Sequence, residues 1–349
     1  MEKKKIVKFI DYVFQKKEQL ISCYDDSNSM RGLSRNFDCV VLGRYGDEIS
    51  RYEVEKYEVV FLPTHYAKEE VGRFILEKIS PDVIHMHFNH GWPSSMYYAR
   101  SFYHKVNKLI FSPAGSSCGT PDFLHFFDYI IVNHPLQVER MKCFLEDKHK
   151  IVVRRRAVDL EKFCPKYTSN ISYPLVYVAG FVPVKQIPTM IDTAIGSGRS
   201  LVIVGDFTRT AEHYNEIRRY IDIEKKRTDR VFLRDFMPQD QLVDFLGHCG
   251  VFVWPNIKPE NPSTTTNRSV VEALGCGVPL LLGERAFRDT EFVEEGRNGF
   301  TYSSQSDFNH KLAQILNNLV DFRQSSLTLA RERFSWSENF RSFYNGIYS

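Results

Sequence analysis

Short apolar runs alternate with amphipathic stretches along the first half of the chain. This alternation predicts a parallel β-sheet covered by helices, because helical crossovers join parallel strands. Helical periodicity is clearest in Lys68–Ile79 and Leu136–Glu146, whereas Cys23–Asn36 is polar and has no clear period. The predicted strands are Ile6–Phe14, Cys39–Leu42, Val59–Leu62, Val83–His87, Leu109–Ser112, Tyr129–Val132 and Ile151–Arg154.

A polar stretch from Cys164 to Pro174 interrupts the alternation and predicts a boundary between two domains near 164–173. Beyond it the alternation restarts, so two α/β halves follow each other in the chain. Such halves predict a ligand site outside the carboxyl ends of their strands. The predicted strands are Leu175–Val178, Leu201–Val204, Val231–Leu233, Val251–Trp254 and Pro279–Leu282, and the helices are Ile187–Ile195, Gln239–Cys249 and Arg268–Gly275.

Composition narrows the class of protein. The chain has 349 residues, 43% hydrophobic and 26% charged, which is typical of a globular protein with two domains. The net charge of +3 is too small for a general nucleic-acid-binding protein. The clusters Lys3–Lys5 and Arg154–Arg156 are either solvated or contact an anionic surface or acceptor, which leaves peripheral contact with the inner face of a membrane open.

The cysteines and the hydropathy predict a cytoplasmic protein. Seven cysteines are scattered without a C-x-x-C pair or a Cys/His cluster, as expected for reduced thiols and not for a zinc site. Lys8 and Asp11 interrupt the first apolar run, which favours a strand over a signal peptide. No apolar run reaches the ~18 residues that a membrane-spanning helix needs.

The segment Pro262–Gly283, PSTTTNRSVVEALGCGVPLLLG, carries the most chemistry. Thr264, Thr265 and Thr266 precede a helix that includes Glu272 and ends at the Gly275–Gly277 turn. The start of a helix exposes N–H groups and a positive dipole end that suit phosphate oxygens. By itself the pattern fits either an anion-binding helix start or a helix with an ordinary cap.

The part VVEALGCGVPLLLG resembles the signature of the retaining GT-B glycosyltransferases, the large group 1 family. Other segments resemble further motifs of that family in the same order, over roughly residues 81–349. These segments are PDVIHMH (81–87), AVDLEKFCP (157–165), LVYVAGFVPVK (175–185), LVIVGD (201–206), FVEEGRNGF (292–300) and FSWSENFRSFY (334–344).

The resemblance implies an α/β protein of the GT-B fold, with two Rossmann-like domains facing across a cleft. It implies an acceptor-side domain at 1–164 and a nucleotide-sugar donor domain at 165–330. The helix at 331–349 is expected to cross back toward the first domain.

The resemblance also assigns a donor site, with departures from the family pattern. Glu272 matches the family's second glutamate, which holds the ribose hydroxyls, whereas Thr264 stands where the first glutamate is expected. A longer loop that delivers Glu260 is the alternative source of that carboxylate. Lys185 matches the lysine that holds the diphosphate, but Gly180 stands in place of the family's arginine.

Arg268 lies one helical turn before Glu272, and we predict that it replaces the lost positive charge. The alternative for Lys185 and Arg268 is a solvated surface position. Phe236 lies where the family packs the nucleotide base, and a core position is the alternative. Donor contacts are therefore predicted for Gly180, Lys185, Phe236, Thr264, Thr265, Thr266, Asn267, Arg268 and Glu272.

Acceptor-side candidates come from the first half of the chain. His87 lies nearer the carboxyl end of its strand than His85, so we assign His87 to the cleft and to catalysis with Lys185 and Arg268, and expect His85 to face the other way. The usual glycine-rich loop after the first strand is not visible, and Ala114 replaces a frequent histidine. Weaker acceptor-side candidates are His90, Trp92, Gly115 and Ser116.

The predicted function is transfer of a sugar from a UDP- or GDP-sugar to a glycan, a lipid-linked glycan or another hydroxyl, with retention implied by the resemblance. No Asp-x-Asp pair is placed as a metal site, so fixed cations and helix amides are predicted to neutralise the diphosphate without a metal or other cofactor. The alternatives are a catalytically weakened nucleotide-sugar-binding module or partner subunit and a sugar-nucleotide epimerase. A DNA-modifying glucosyltransferase is disfavoured by the weak positive charge.

Overall fold

The structure is a computed structural model that describes residues 3–14, 17, 30, 32–54, 56–88, 93–113, 121–132, 138, 141, 150–154, 157–164, 171–180, 185–205, 211–256, 268–287, 291–336 and 346–348. The chain divides into one unit of Met1–Arg156 with Trp336–Ser349 and a second unit of Ala157–Ser335. The division precedes the boundary placed by the sequence because Val158 and Phe163 already pack in the core of the second unit.

The first unit is built on an eight-stranded sheet. Its strands follow the order β3-β4-β2-β1-β5-β6-β7-β8, and neighbours are parallel except in the antiparallel pair of β3 and β4. The strands are β1 (Lys5–Val13), β2 (Asp38–Arg44), β3 (Ser50–Val54), β4 (Tyr57–Leu62), β5 (Val83–Phe88), β6 (Lys108–Pro113), β7 (Tyr129–Val132) and β8 (Ile151–Val153).

Helices cover one face of this sheet, where Val7, Phe9 and Met86 belong to its buried core. The helices are α1 (Lys68–Arg73), continued by a π-helical turn at Phe74–Ile79, α2 (Pro93–Phe102) and α3 (Pro121–Leu124). Of the predicted helix Leu136–Glu146, only Val138 and Met141 lie within the described residues, and both are helical.

The other face buries a polar cluster. His85 hydrogen-bonds through Nδ1 to the Tyr348 hydroxyl, through Nε2 to Ser112 Oγ at 2.6 Å, and to Lys8 Nζ at 3.0 Å. All four side chains are buried. Lys108 Nζ also donates to the carbonyl of Ile347 at 3.1 Å. The described end of the chain, 346–348, is therefore anchored on the first unit.

The second unit contains a six-stranded parallel sheet in the order β11-β10-β9-β12-β13-β14. Its strands are β9 (Tyr173–Val178), β10 (Leu201–Val204), β11 (Val231–Arg234), β12 (Cys249–Trp254), β13 (Leu280–Gly283) and β14 (Gly299–Tyr302). Its helices are α4 (Ile187–Gly196), α5 (Ala211–Arg227), α6 (Gln239–Gly247), α7 (Arg268–Gly275), α8 (Glu284–Phe287), α9 (Gln305–Asn317) and α10 (Leu319–Leu329), followed by a π-helical turn at Ala330–Phe334.

Counted within the unit, this strand order is 3-2-1-4-5-6, the order of a Rossmann fold. The chain adds β10 and β11 on one side of β9 and then adds β12, β13 and β14 on the other side. The neighbouring parallel strands β9 and β12 therefore flank the switch point. Ligands of such sheets bind outside the carboxyl ends of the strands at this switch point. The residues that follow Val178 and Trp254 are therefore candidates for ligand contacts.

Among the described residues, none of the helices has the length and apolar character needed to cross a membrane.

Candidate active site

Helix α7 begins at the carboxyl end of β9. The Ser269 hydroxyl donates to the carbonyl of Val178, the last residue of that strand, at 2.8 Å. Every residue from Ser269 to Gly275 is buried, so the helix packs inside the unit. At its other end Gly277 has a φ of +69°, a left-handed conformation that glycine adopts without strain. The start of α7 is therefore fixed at the switch point.

Arg268 and Glu272 form an ion pair along α7. Arg268 Nε donates to Glu272 Oε1 at 2.6 Å, and the exposed fractions of the two side chains are 17% and 7%. Within the described part of the chain, the Nη atoms of Arg268 and Oε2 of Glu272 make no hydrogen bond. One donor and one acceptor thus hold the pair together, and the remaining atoms are able to contact a ligand.

Lys185 lies near the same strand ends and is held from two sides. Its Nζ is 4.8 Å from the ring centroid of Trp254, the last residue of β12. Its backbone carbonyl accepts a hydrogen bond of 2.6 Å from the hydroxyl of Tyr177 in β9. The predicted lysine therefore does lie at the switch point, where its ammonium contacts an aromatic face.

Gly180 is exposed two residues after β9. A Cβ atom built on it would meet nothing within 4 Å, and its φ lies outside the left-handed range. The backbone and the surrounding space therefore do not require glycine here. Packing therefore does not explain why glycine stands here in place of the arginine that the family resemblance leads one to expect.

Phe236 follows the edge strand β11 and is half-buried. Its backbone N–H donates to Asp235 Oδ1 at 2.7 Å. Phe236 is not among the described residues that form the hydrophobic core of the second unit or pack against it. This position favours the base-stacking interpretation over the core interpretation, although the assignment stays a prediction.

In the first unit, the expectation for the two histidines was wrong. Residues two positions apart on a strand share a face, so His85 and His87 lie on the same face of β5. His85 is buried in the cluster with Lys8, Ser112 and Tyr348, whereas His87, nearer the strand end, is half-buried. The catalytic assignment of His87 stays a prediction.

Sequence reasoning missed a second polar group in the first unit, near the carboxyl ends of β1 and β2. Arg44 Nη1 lies 3.7 Å from Asp11 Oδ1, and Arg44 also donates to the carbonyls of Thr64 and Tyr66. Burial raises the pKa of Asp11, while Arg44 and a hydrogen bond from Ser94 act in the opposite direction. A buried carboxylate with a shifted pKa near a switch point is a candidate ligand-binding group.

The second unit is similar to a known protein family. Residues 171–330 match the family model described as Glycosyl transferases group 1. The match covers most of the second unit, Ala157–Ser335. This match confirms the prediction of a glycosyltransferase, and its span includes β9, Lys185, Trp254, Arg268 and Glu272.

Solved structures match the whole chain, at low identity. HepE of Anabaena in complex with UDP-glucose is 12% identical with a TM-score of 0.71, over 99% of this chain and 99% of that chain. Sucrose-phosphate synthase from Thermosynechococcus elongatus is 14% identical with a TM-score of 0.71, over 99% and 98%. The pneumococcal O-GlcNAc transferase GtfA, in complex with UDP and GlcNAc, is 11% identical with a TM-score of 0.68, over 100% and 99%. These matches confirm the predicted GT-B fold. No curated protein matches the sequence.

Several predicted site residues of both units lie outside the described residues. They are Glu260, Thr264, Thr265, Thr266 and Asn267 in the loop before α7, and His90, Trp92, Gly115 and Ser116 in the first unit. Within the described residues, no three His, Cys, Asp or Glu side chains are grouped so that they could hold a metal ion. Metal-independent transfer stays a prediction.

Proposed function

We propose that the protein transfers a sugar from a UDP-sugar to a hydroxyl group of a glycan, with retention of the anomeric configuration. The observation that carries the proposal is that Lys185 lies against the end of β12, and Arg268 and Glu272 lie on the helix that begins at the end of β9, at the switch point of the second unit. UDP is favoured over GDP because the solved complexes of HepE and GtfA contain UDP or UDP-glucose. Retention and the acceptor rest on the family resemblance.

The donor is proposed to bind along the start of α7. Glu272 Oε2 accepts hydrogen bonds from the ribose hydroxyls, since a carboxylate is suited to a vicinal diol. The Arg268 Nη atoms and the Lys185 ammonium bind the diphosphate oxygens, and Phe236 stacks on the base. This proposal is supported by the Arg268–Glu272 hydrogen bond at the start of α7 and by the position of the Lys185 ammonium, 4.8 Å from the ring centroid of Trp254 at the end of β12.

These residues are proposed to stabilise UDP as the leaving group. When the bond between the anomeric carbon and the diphosphate breaks, negative charge accumulates on UDP. Fixed cations that are already oriented lower the barrier without reorganising during the reaction. Arg268 is oriented by Glu272, and Lys185 by its two contacts, so both cations are preorganised for this role.

The acceptor hydroxyl is proposed to bind to the first unit near His87 and Asp11. Both side chains belong to strands that flank that unit's own switch point, and hydroxyl groups are ligands for imidazole and carboxylate. Peripheral membrane contact, a lipid-linked acceptor and a cytoplasmic location stay predictions that no contact in the described residues supports.

A donor screen tests the proposal. The purified protein is titrated by calorimetry with UDP, GDP, UDP-glucose, UDP-GlcNAc and GDP-mannose, and UDP release is then measured with and without oligosaccharide acceptors. We expect a UDP-sugar to bind and to release UDP faster when acceptor is added, with a product whose anomeric NMR signal matches that of the donor. Binding without release would favour the nucleotide-sugar-binding module, which the exposed Gly180 in place of arginine motivates.

A further inference from the structure

We propose that Trp254 and Tyr177 are positioning residues that hold Lys185 ready for the diphosphate of the donor. The inference rests on the proposed role of Lys185 in donor binding. It adds two residues that the sequence motifs did not identify, and it assigns to each a separate contact with the lysine.

The three residues make a closed set of contacts. The Tyr177 hydroxyl donates to the Lys185 carbonyl at 2.6 Å, which fixes the lysine backbone to β9. The Tyr177 ring meets the Trp254 ring edge to face, with centroids 5.1 Å apart and an interplanar angle of 88°. The Lys185 ammonium lies 4.8 Å from the centroid of the Trp254 ring. Backbone and side chain of Lys185 are thus both held by residues of the sheet.

Both aromatic residues are rigid supports. Tyr177 has no exposed surface and Trp254 is 2% exposed. Burial raises the pKa of Tyr177 well above its usual value, so its hydroxyl stays protonated and donates at any pH near neutrality. The Trp254 carbonyl also accepts a hydrogen bond of 3.0 Å from the Tyr302 hydroxyl, which fixes the end of β12.

The physical reason for such a support is the flexibility of lysine. A free lysine side chain loses rotamer entropy when its ammonium is fixed on a ligand, and this loss weakens binding. An indole face attracts the ammonium electrostatically and restricts it before the ligand arrives. A cation–π contact does not require a hydrogen bond from the ammonium, so it is compatible with donation from its N–H groups to phosphate oxygens.

A double-mutant cycle on UDP affinity tests this arrangement. Calorimetry would compare wild type, Trp254→Leu, Lys185→Met and the double variant, with UDP as the probe. We expect Trp254→Leu to weaken UDP binding about five- to tenfold, the effect of losing roughly 1 kcal/mol or slightly more of preorganisation. In the Lys185→Met background the same change should leave the affinity unaltered, because the lysine that the indole positions is absent.

Conservative variants keep the test valid if Trp254→Leu fails to fold. Trp254→Phe retains an aromatic face and should lose less affinity than Trp254→Leu. Tyr177→Phe removes only the hydroxyl bonded to the Lys185 carbonyl, and should weaken UDP binding in wild type but not beside Lys185→Met. Thermal unfolding of each variant reports whether the unit is folded.

The outcomes separate this inference from the proposed function. An equal loss of affinity in both backgrounds would mean that Trp254 acts through packing, and no loss in wild type would mean that it does not act on Lys185. Either result overturns the positioning role while leaving donor binding intact. If Lys185→Met itself leaves UDP affinity unchanged, the proposed role of the lysine fails, and the inference fails with it.

Discussion

Arg268 Nε lies 2.6 Å from Glu272 Oε1, one turn further along a helix that is buried from Ser269 to Gly275. This order of charges does not stabilise the helix. A positive charge at the start of a helix opposes the macrodipole, and an acid placed before a base is the better order at this spacing. We therefore expect an anion to bind at the start of the helix, where the diphosphate of the donor is proposed to lie.

Replacement of Arg268 should impair transfer more than it impairs folding. We expect Arg268→Ala to lower kcat/KM by about 2–4 kcal/mol of transition-state stabilisation, on the order of 30- to 1,000-fold, because one preorganised cation is lost. Arg268→Lys should recover only part of this loss, since lysine lacks the planar fork that grips two oxygens. Steady-state kinetics of the two variants against wild type provides the measurement.

The same substitution also leaves Glu272 buried without its cation, which costs stability. Thermal unfolding must therefore accompany the kinetics, which are measured well below the unfolding midpoint of the variant. A folded Arg268→Ala protein with near-wild-type kcat/KM would contradict the compensation for Gly180.

Glu272→Gln should weaken donor binding and leave the fold intact. Glutamine retains the shape of the side chain and an oxygen that accepts from Arg268, but it is a weaker acceptor for the ribose hydroxyls. Wild type should bind UDP more tightly than 2′-deoxy-UDP, whereas Glu272→Gln should discriminate less between the two. Calorimetry with both nucleotides makes the comparison, and equal discrimination by the two proteins would remove Glu272 from the ribose site.

Gly180→Arg should improve donor binding. The position is exposed, an added Cβ meets no atom within 4 Å, and the backbone conformation suits other residues. A guanidinium there adds charge-assisted hydrogen bonds to the diphosphate, worth roughly 1.5–3 kcal/mol, so we expect at least a tenfold gain in UDP affinity. Gly180→Gln is the matched control of similar length without charge, and an equal effect of both variants would argue against a diphosphate at this position.

Asp11 should make stability depend on pH. Burial raises the pKa of its carboxyl in the folded state, with Arg44 opposing the shift. The folded protein therefore keeps this proton to a higher pH than the unfolded chain, whose aspartates titrate near about 3.9. The contribution of Asp11 to the free energy of unfolding falls as pH rises from that value through the raised pKa, and then stays low.

Asp11→Asn removes this decline, so the difference in unfolding free energy between variant and wild type should shift in favour of the variant as pH rises from about 4, until it levels off. Denaturant unfolding at a series of pH values measures it. The exposed Asp47 provides the matched control variant Asp47→Asn. A difference that does not change with pH would show that Asp11 ionises normally.

Much of the fold was predictable because its strands are buried on both faces. The apolar runs of β2, β10, β12 and β13 are almost entirely buried. Continuous apolar runs of this length predict parallel strands. Strand β3 was missed because its residues are exposed or half-buried at the sheet edge, which leaves no apolar pattern to detect. The division at Arg156 lies before the predicted boundary at 164–173 because Val158 and Phe163 pack in the core of the second unit, which the local sequence does not signal.

The candidate site was predictable where a motif or the spacing along one helix indicated it, as for Lys185 and for the pair on α7. Arg268 and Glu272 are four positions apart, so their contact follows from helix geometry. Trp254 and Tyr177 were missed because buried aromatic residues in strands are ordinarily core, and only their geometry relative to Lys185 distinguishes them. Asp11 and Arg44 come together through neighbouring strands, and nothing in their local sequence signals the pair.

The most direct test of the central claim, that this protein transfers a sugar from a UDP-sugar, is the rate of UDP release from its preferred UDP-sugar. Wild type is compared with the double variant Lys185→Met/Arg268→Ala, after both are shown to be folded by thermal unfolding. We predict sustained release by wild type that increases with acceptor, and release by the double variant that falls to the uncatalysed rate. Equal release by the two proteins, or UDP-sugar binding by wild type without any release, would contradict the account.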